Sequence, residues 1–226
     1  MDISIVITCY NYGSFLERAL RSCLNQTLEN NEYEIKVVND GSTDKTNKVL
    51  DLYNNDVRII NFKENKGLSF ARNEGIKQSK GRFIINLDAD DYFDSNILNI
   101  ERLFLNMNPE FDAVSCDYFT VDNSEKHLKR HNAKKEPIAC GIMFRKDRLF
   151  NVGLYDENLK IWEERDLREK FLINKYKIFN IELPLYRYRL HGKNMTLKNE
   201  TKWLWNHNSS QNGFDKIAWQ NFITFK

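Results

Sequence analysis

The first half of the chain alternates short apolar runs with segments of helical periodicity. The apolar, largely β-branched runs are typical of strands buried on both faces, and they predict strands at residues 3–8, 34–38, 57–62 and 82–87. The segments between and after them predict helices at residues 15–26, 45–53, 68–78 and 95–107. Such βαβα alternation specifies a parallel sheet with helices on both faces, joined by right-handed crossovers.

After Pro109 the pattern becomes less regular. Further strands are expected at residues 113–118, 138–144 and 185–190, and further helices at 146–150 and 162–174. Residues 123–135 are polar and charged and predict an exposed or mobile loop. We therefore expect one α/β domain at residues 1–198, with a regular half at 1–108 and an irregular half at 109–198, followed by an aromatic and basic tail at 199–226.

Composition narrows the classes of function. The chain has 226 residues, of which 41% are hydrophobic and 29% charged, as expected of a folded protein. The formal net charge of +2 lacks the basic excess of a dedicated nucleic-acid-binding protein. The four cysteines form no C-x-x-C pair, no leader pattern opens the chain, and no apolar stretch reaches the roughly 20 residues of a membrane span. We expect a cytoplasmic protein.

Polar, turn-forming or acidic residues follow four successive predicted strands, at residues 10–11, 39–42, 63–67 and 88–91. Each segment alone is typical of a surface loop. Ligands of open parallel sheets bind at the carboxyl ends of the strands, so the four segments together predict a binding site on one rim.

The acidic segment Asp88-Ala89-Asp90-Asp91 is the strongest of these signals. Three carboxylates so close together repel one another, and a divalent cation removes that cost; carboxylate oxygens suit Mg²⁺ or Mn²⁺. The alternative is an acidic turn that caps the following helix. Glycine-rich phosphate loops are absent from the sequence, so a diphosphate would have to be bound through a metal and basic side chains.

Six segments, taken in their order and spacing, resemble the family 2 glycosyltransferases of GT-A fold. They are residues 5–11 (IVITCYN), 38–44 (VNDGSTD), 65–73 (NKGLSFARN), 87–91 (LDADD), 152–157 (VGLYDE) and 162–167 (WEERDL). The resemblance spans about residues 2–196. It implies a Rossmann-like, mostly parallel central sheet flanked by helices, in which residues 1–108 bind the nucleotide-sugar and the irregular residues 109–198 bind the acceptor.

The resemblance also implies roles for single residues of the donor site. The nucleotide-sugar-binding residues would be Thr8, Tyr10, Asn11, Asp40, Arg72 and Asp88. Asp40 would meet a uracil-like base, and Arg72 would meet diphosphate or ribose unless it is a solvated helix residue. Asp90 would bind Mn²⁺ or Mg²⁺, with His191 completing the metal or diphosphate site. Asp91 would support the metal site from behind or cap a helix.

On the acceptor side the resemblance implies that Glu164 is the general base. The family usually has Glu-Asp where this chain has Glu163-Glu164, so the carboxylate reaches about one methylene further. The acids Glu163, Glu164 and Asp166 also suit the first turn of a helix, because the helix dipole favours negative charge there. Glu163 is the alternative base, and Asp166 would orient the acceptor.

The function that follows from the resemblance is inverting transfer of a sugar from a nucleoside diphosphate sugar, with UDP favoured, to a hydroxyl of a glycan or lipid-linked saccharide. The rival interpretations are a metal-dependent nucleotidyltransferase and a catalytically degenerate sugar-nucleotide binding module. No nucleic-acid partner is expected. The tail at 199–226 could rest on the inner face of the cell membrane, pack on the domain or mediate homodimerisation.

Overall fold

The computed structural model describes residues 1–192 and 194 of the chain, and the predicted tail at 199–226 lies outside them. The first half forms four strands and three helices. In chain order they are β1 (Ile3–Cys9), α1 (Leu16–Leu24), β2 (Tyr33–Asn39), α2 (Thr46–Leu52), β3 (Arg58–Asn61), α3 (Leu68–Lys77) and β4 (Phe83–Asp88). Every strand and helix predicted for this half is present.

The part of the chain after β4 is richer in strands than the sequence predicts. Its elements are β5 (Tyr92–Phe93), α4 (Ile97–Met107), β6 (Ala113–Val121), β7 (His127–His131), β8 (Ile142–Arg145), α5 (Lys146–Asn151), α6 (Glu163–Ile173) and β9 (Ile178–Arg189). None of the helices in the described part of the chain is long and apolar enough to cross a membrane.

All of these strands join one mixed sheet in the order β3-β2-β1-β4-β8-β6-β9-β5, with β7 paired to β6. The first four strands are parallel, as predicted. Antiparallel pairing begins where β8 meets β4, although β6 and β9 are again parallel. The fold is therefore α/β, with a regular parallel half and an irregular mixed half.

The register of the parallel strands brings their carboxyl ends together. Cys9 at the end of β1 lies opposite Asn39 of β2, and Thr8 lies opposite Asp88 of β4. The loops that follow these strands therefore leave the sheet side by side. This common edge is called the rim below.

The sheet is buried on both faces because successive strand residues point to opposite sides. Ile3, Ile5 and Ile7 of β1 pack in one hydrophobic cluster, whereas Val6 packs in a second cluster with residues of α3 and α6. All four cysteines are buried and free. They fill space in the core as small side chains.

Two details differ from the sequence prediction. Residues 123–135 do not form an irregular loop throughout, because β7 pairs with β6 as an antiparallel hairpin. The last strand begins at Ile178 and accommodates Pro184 where its register with β6 shifts, which is one of the sheet positions that tolerate proline.

Candidate active site

The rim opens at the end of β1. Thr8 is buried, whereas Tyr10, just beyond the strand, is 45% exposed. A side chain placed in this way can contact a ligand that rests on the rim without first breaking a packed core. The structure is thus compatible with the expected roles of both residues.

Asp40 organises the neighbouring loop. It is buried at the end of β2, and its carboxylate accepts hydrogen bonds from the backbone amides of Lys66 and Gly67 and from Nδ2 of Asn65. Burial raises the pKa of Asp40, and the amide hydrogen bonds and the charge of Lys66 oppose that shift. Asp40 therefore fixes the loop at 65–67 against the rim, a role that the sequence did not predict.

Asn11 acts as a connector between two rim loops. Its backbone has φ 59°, and its Oδ1 accepts hydrogen bonds from the backbone amides of Thr43 and Asp44. Its own amide donates to Oγ of Ser42. Asn11 thus gives the rim its shape, since its side-chain oxygen is already engaged by the protein.

Arg72 lies on α3 beside the rim, as predicted, but it is buried. It is only 1% exposed, so the interpretation as a solvated helix residue is wrong. One terminal nitrogen lies 2.9 Å from Oδ1 of Asp88 and the other lies 2.7 Å from Oε1 of Glu163. Both terminal nitrogens of this guanidinium thus hold carboxylates of the rim and of α6, and a contact with diphosphate or ribose stays a prediction.

Asp90 and His191 are brought together, as the sequence predicted. Nε2 of His191 lies 2.9 Å from Oδ2 of Asp90, and the two side chains are 3% and 15% exposed. The imidazole stacks on Phe15 with ring centroids 4.5 Å apart, and the edge of Tyr12 lies beside it. Packing therefore fixes the ring against the carboxylate although 101 positions separate the two residues in sequence.

The contact between Asp90 and His191 is a hydrogen bond, and its length is also one at which both side chains could bind the same divalent cation. Two ligands that occupy neighbouring corners of an octahedral site, each about 2.1 Å from the ion, are separated by about 3 Å. The described residues contain no cluster of three or more His, Cys, Asp or Glu side chains that could complete a metal site. A cation held by Asp90 and His191 would thus depend on phosphate oxygens and water for its other ligands, as Mg²⁺ commonly does.

Asp91 supports the acidic segment from inside the protein. It is 2% exposed and accepts hydrogen bonds from the hydroxyl of Tyr186 at 2.6 Å and from the backbone amide of Arg189 at 2.8 Å. Burial, together with the charges of Asp90 and Asp88, raises its pKa well above the usual carboxyl range. The alternative role in capping a helix is wrong, since α4 begins only at Ile97.

Glu164 occupies the first turn of α6. It follows Glu163, which Arg72 joins to Asp88; these two ion pairs of Arg72 are called the Arg72 bridge below. Glu164 is half-buried, and burial followed by the charge of Glu163 raises its pKa. A carboxylate with a raised pKa is a better proton acceptor near neutral pH than an ordinary one. The structure therefore places in this position a group suited to general base catalysis.

The two alternative acids of α6 have other partners. Glu163 is 6% exposed and is bound to Arg72, so the interpretation as a fallback base is corrected to that of an anchor. Asp166 lies 2.7 Å from Nζ of Lys170, which also donates to the carbonyl of Leu154. Asp166 therefore holds Lys170 within the same helix, and Lys170 ties α6 to the preceding segment; the acceptor role of Asp166 stays a prediction.

Sequence reasoning missed Arg189. This buried residue donates from Nε to the carbonyl of Asp90, and its guanidinium lies over the rings of Phe15 and Tyr92. It fixes the backbone of the acidic segment from the last strand. The run of alternating Tyr and Arg residues at 186–189 was visible in the sequence, but only the pairing of β9 shows which side chain reaches the site.

The chain matches the family model described as "Glycosyl transferase family 2" over residues 4–181. It is 29% identical over 208 residues to the minor teichoic acid biosynthesis protein GgaB of Bacillus subtilis, covering 84% of this chain and 23% of that protein. Across the first curated relatives that it matches, the chain spans from 23% to 65% of their length.

Solved structures share the fold. S. aureus TarS 1–349 in complex with UDP-GlcNAc superposes with a TM-score of 0.75 and 23% identity, over 86% of this chain and 60% of that one. The mannosyltransferase PcManGT of Pyrobaculum calidifontis, in complex with GDP-Man and Mn²⁺, superposes with a TM-score of 0.71 and 16% identity, over 88% and 60%. Together with the family match over most of its length, this shows that the chain belongs to glycosyltransferase family 2 and has the GT-A fold.

Proposed function

We propose that the chain transfers a sugar from a nucleoside diphosphate sugar, with UDP favoured, to a hydroxyl of a glycan or lipid-linked saccharide, with inversion at the anomeric carbon. The observation that carries the proposal is the Arg72 bridge. It joins Asp88 on the donor rim to Glu163, whose neighbour in α6 is Glu164. The acids of the acceptor side and those of the donor side therefore border one site.

Family membership and the ligands of structural neighbours support the choice of donor. TarS was crystallised with UDP and with UDP-GlcNAc, and PcManGT with GDP-Man and Mn²⁺. The relative GgaB takes part in minor teichoic acid biosynthesis, which supports a role in building a polysaccharide or a related polymer. The role that the resemblance assigns to Asp40, at the end of β2, is the reason to favour a uracil base here.

In the proposed reaction Glu164 accepts the proton of the acceptor hydroxyl. The hydroxyl oxygen attacks the anomeric carbon from the face opposite the diphosphate and forms the new glycosidic bond. The bond from carbon to diphosphate breaks, and the electron pair leaves with the nucleoside diphosphate. Asp90 and His191 would hold a divalent cation, Mn²⁺ or Mg²⁺, which would stabilise the negative charge of that leaving group.

Turnover of UDP-sugars by two variants tests the proposal. Glu164→Gln removes the proton acceptor and should lower kcat by about 10²- to 10⁴-fold. Asp90→Ala should abolish metal-dependent turnover. Asp51→Ala, at an exposed position of α2, is the matched control and should keep full activity.

Three results would redirect the proposal. Full turnover by Glu164→Gln would remove Glu164 as the base. Donor binding without any transfer or hydrolysis by the native protein would favour the degenerate binding module instead. Transfer of the nucleotidyl group from the UDP-sugar, with release of a sugar 1-phosphate, would favour the nucleotidyltransferase.

A further inference from the structure

A strongly basic segment, residues 126–135, lies on the acceptor half of the molecule. It contains no Asp or Glu, and its five cations are Lys126, Lys129, Arg130, Lys134 and Lys135. Without these five, the formal net charge of +2 would become −3 for the rest of the chain. These residues therefore account for the net positive charge of the chain. We call them the basic segment.

The basic segment is presented to solvent by an exposed strand. All five cations are exposed, and in the described chain β7 pairs with β6 alone. Of the five, Arg130 lies 2.9 Å from Asp117, and Lys129 lies 3.5 Å from Glu136. Lys126, Lys134 and Lys135 carry most of the charge available to a ligand.

Both ends of the basic segment are attached to the candidate active site. At one end, Glu125 accepts a hydrogen bond from Arg18 at 2.8 Å and lies 3.5 Å from Arg189, the residue that holds the carbonyl of Asp90. Glu125, just before the basic segment, is thus fixed next to the acidic segment 88–91 of the donor site.

At the other end, the carbonyl of Ile138 accepts a hydrogen bond from Arg168, one helical turn after Glu164. Two residues further on, Sγ of Cys140 lies 3.6 Å from the guanidinium of Arg72. The basic segment thus leaves the site beside Asp90 and returns beside Glu164. The lysines between these two ends are therefore carried by a segment that borders the site.

The chemistry of the segment favours phosphodiesters over carboxylates or lipid. The planar fork of arginine recognises carboxylates and phosphates through paired hydrogen bonds, and the single arginine here is already paired with Asp117. Lysine binds phosphate as a compact charge. Binding to a membrane surface needs an apolar face as well, and Leu128 is the one exposed large apolar side chain among residues 126–135.

We propose that the acceptor is a polymer with repeating phosphodiester groups and that it binds along the basic segment while its terminal hydroxyl reaches Glu164. This inference rests on the proposed transferase function. It goes beyond it by naming the chemical class of the acceptor and the surface that binds it.

The test is the binding of poly(glycerol phosphate) to the full chain and to a variant in which the four lysines of the basic segment, Lys126, Lys129, Lys134 and Lys135, are replaced by Gln. The native protein should lose at least about tenfold in affinity between roughly 50 and 200 mM salt, because bound counterions are released on association. The variant should bind at least about tenfold more weakly at low salt and show a shallower salt dependence.

A matched control removes the same charge elsewhere. Lys48, Lys80, Lys175 and Lys177 are exposed and lie outside the basic segment, so their replacement by Gln should leave binding close to the native level. The pair Lys134→Gln and Lys135→Gln lies outside β7 and gives a milder version that does not touch the strand. Thermal midpoints of all variants show whether they are folded.

Three results would overturn the inference: equal loss of binding in both sets of variants, tighter salt-dependent binding of hyaluronan than of poly(glycerol phosphate), or binding only to vesicles of phosphatidylcholine and phosphatidylglycerol. Dextran is the neutral polymer and should bind all variants equally. Hydrolysis of the sugar donor, measured on the same samples, reports the proposed transferase function separately. If the protein hydrolyses the sugar donor but does not bind poly(glycerol phosphate), only this inference is contradicted.

Discussion

Arg72 is 1% exposed, and one of its terminal nitrogens binds Asp88 while the other binds Glu163. Burial alone would lower the pKa of a guanidinium, but the surrounding acids and phenol outweigh burial and raise it well above its usual value. The residue therefore stays charged, and its two ion pairs are screened little by water. At this scale the site is held together by one cation shared between two carboxylates.

Replacing Arg72 by Met should reduce the free energy of unfolding by about 3–5 kcal/mol, because two carboxylates would be left without their buried partner. Urea denaturation measures this change. Arg82→Met is the control, since Arg82 pairs with Asp2 at the surface and its side chain is 55% exposed; it should cost about 0–1 kcal/mol. Similar losses in the two variants would contradict the central role of the Arg72 bridge.

The raised pKa of Glu164 predicts the pH dependence of transfer. Burial and the charges of Glu163 and Asp88 raise this pKa, and the charge of Arg72 opposes the shift. A general base acts in its deprotonated form, so kcat/KM should fall as the pH falls through a value above the usual 4.3 or so of a glutamate.

Glu163→Gln removes one neighbouring negative charge and should therefore move this acid limb to lower pH. The pH profile of kcat/KM measures the shift. Glu169→Gln, at a 57% exposed side chain of the same helix, should leave the profile unchanged. A profile without an acid limb in the native protein would argue against Glu164 as the base.

At the scale of elements, α3 lies very close to the sheet because of Gly75. A Cβ at this position would stand 2.4 Å from Cγ1 of Val6 and 3.1 Å from Cγ2 of Val38. Glycine in a helix usually costs about 1 kcal/mol relative to alanine, so its presence here reflects close packing against β1 and β2. Arg72 belongs to the same helix, so this packing also determines the position of its guanidinium relative to Asp88.

Gly75→Ala should lower the free energy of unfolding by about 1–3 kcal/mol despite the better helix propensity of alanine, since overpacking of a dense core outweighs that gain. Chemical denaturation gives the value. Lys77→Ala, at an exposed position of the same helix, is the control and should change stability by less than about 0.5 kcal/mol. An Ala variant that is more stable than the native protein would show that α3 can move away from the sheet.

The packing of α4 on β6 buries an acid, Glu101, which is 0% exposed and has the thiol of Cys116 as its polar neighbour. Burial raises its pKa well above the usual value, so the folded protein holds a proton that the unfolded chain releases above about pH 4.3. Stability from this group is therefore complete at low pH and is lost as the pH rises.

Glu101→Gln should remove this contribution to the pH dependence. Between pH 5 and 7 the native protein should lose up to about 1.4 kcal/mol per pH unit from this group, and the variant should not. Urea denaturation at several pH values measures both slopes. Glu110→Gln, which is exposed, should keep the native slope, and identical slopes in all three proteins would refute the assignment.

At the scale of the whole molecule, the site is assembled from both halves of the sheet. The parallel half contributes Asp40, Arg72 and Asp88, and the mixed half contributes Glu164 and His191. A donor that binds across this boundary stabilises the folded state by mass action, by about 2.7 kcal/mol when its concentration is a hundred times Kd.

UDP together with Mn²⁺ should therefore raise the thermal midpoint of the native protein and of Glu164→Gln, whereas Asp90→Ala should lose the metal-dependent part of the shift. A differential scanning panel of UDP, GDP and dTDP, with and without Mn²⁺, measures this and ranks the nucleotides. Equal shifts for Asp90→Ala and the native protein would remove Asp90 from the metal site.

The sequence by itself determined the parallel half of the fold and the position of the rim. Buried strands and helical periodicity are local properties of the chain, and polar residues at strand ends must meet on one edge of a parallel sheet. For the same reason Asp40, Asp88 and Asp90 could be assigned to one site before any coordinates were known. The pairing of Asp90 with His191 followed from family resemblance and not from local pattern.

Only the tertiary structure decided the partners of the charged residues. Arg72 and Glu163 are 91 positions apart, and no local pattern shows that a buried arginine of α3 binds the first turn of α6. Glu163, Glu164 and Asp166 look equivalent along the chain, yet packing gives Glu163 an ion pair with Arg72 and gives Glu164 a half-buried position with a raised pKa. Asp166 instead pairs with Lys170 within the same helix. Burial and charge pairing depend on the whole fold, and they separate the candidate base from two acids held in ion pairs.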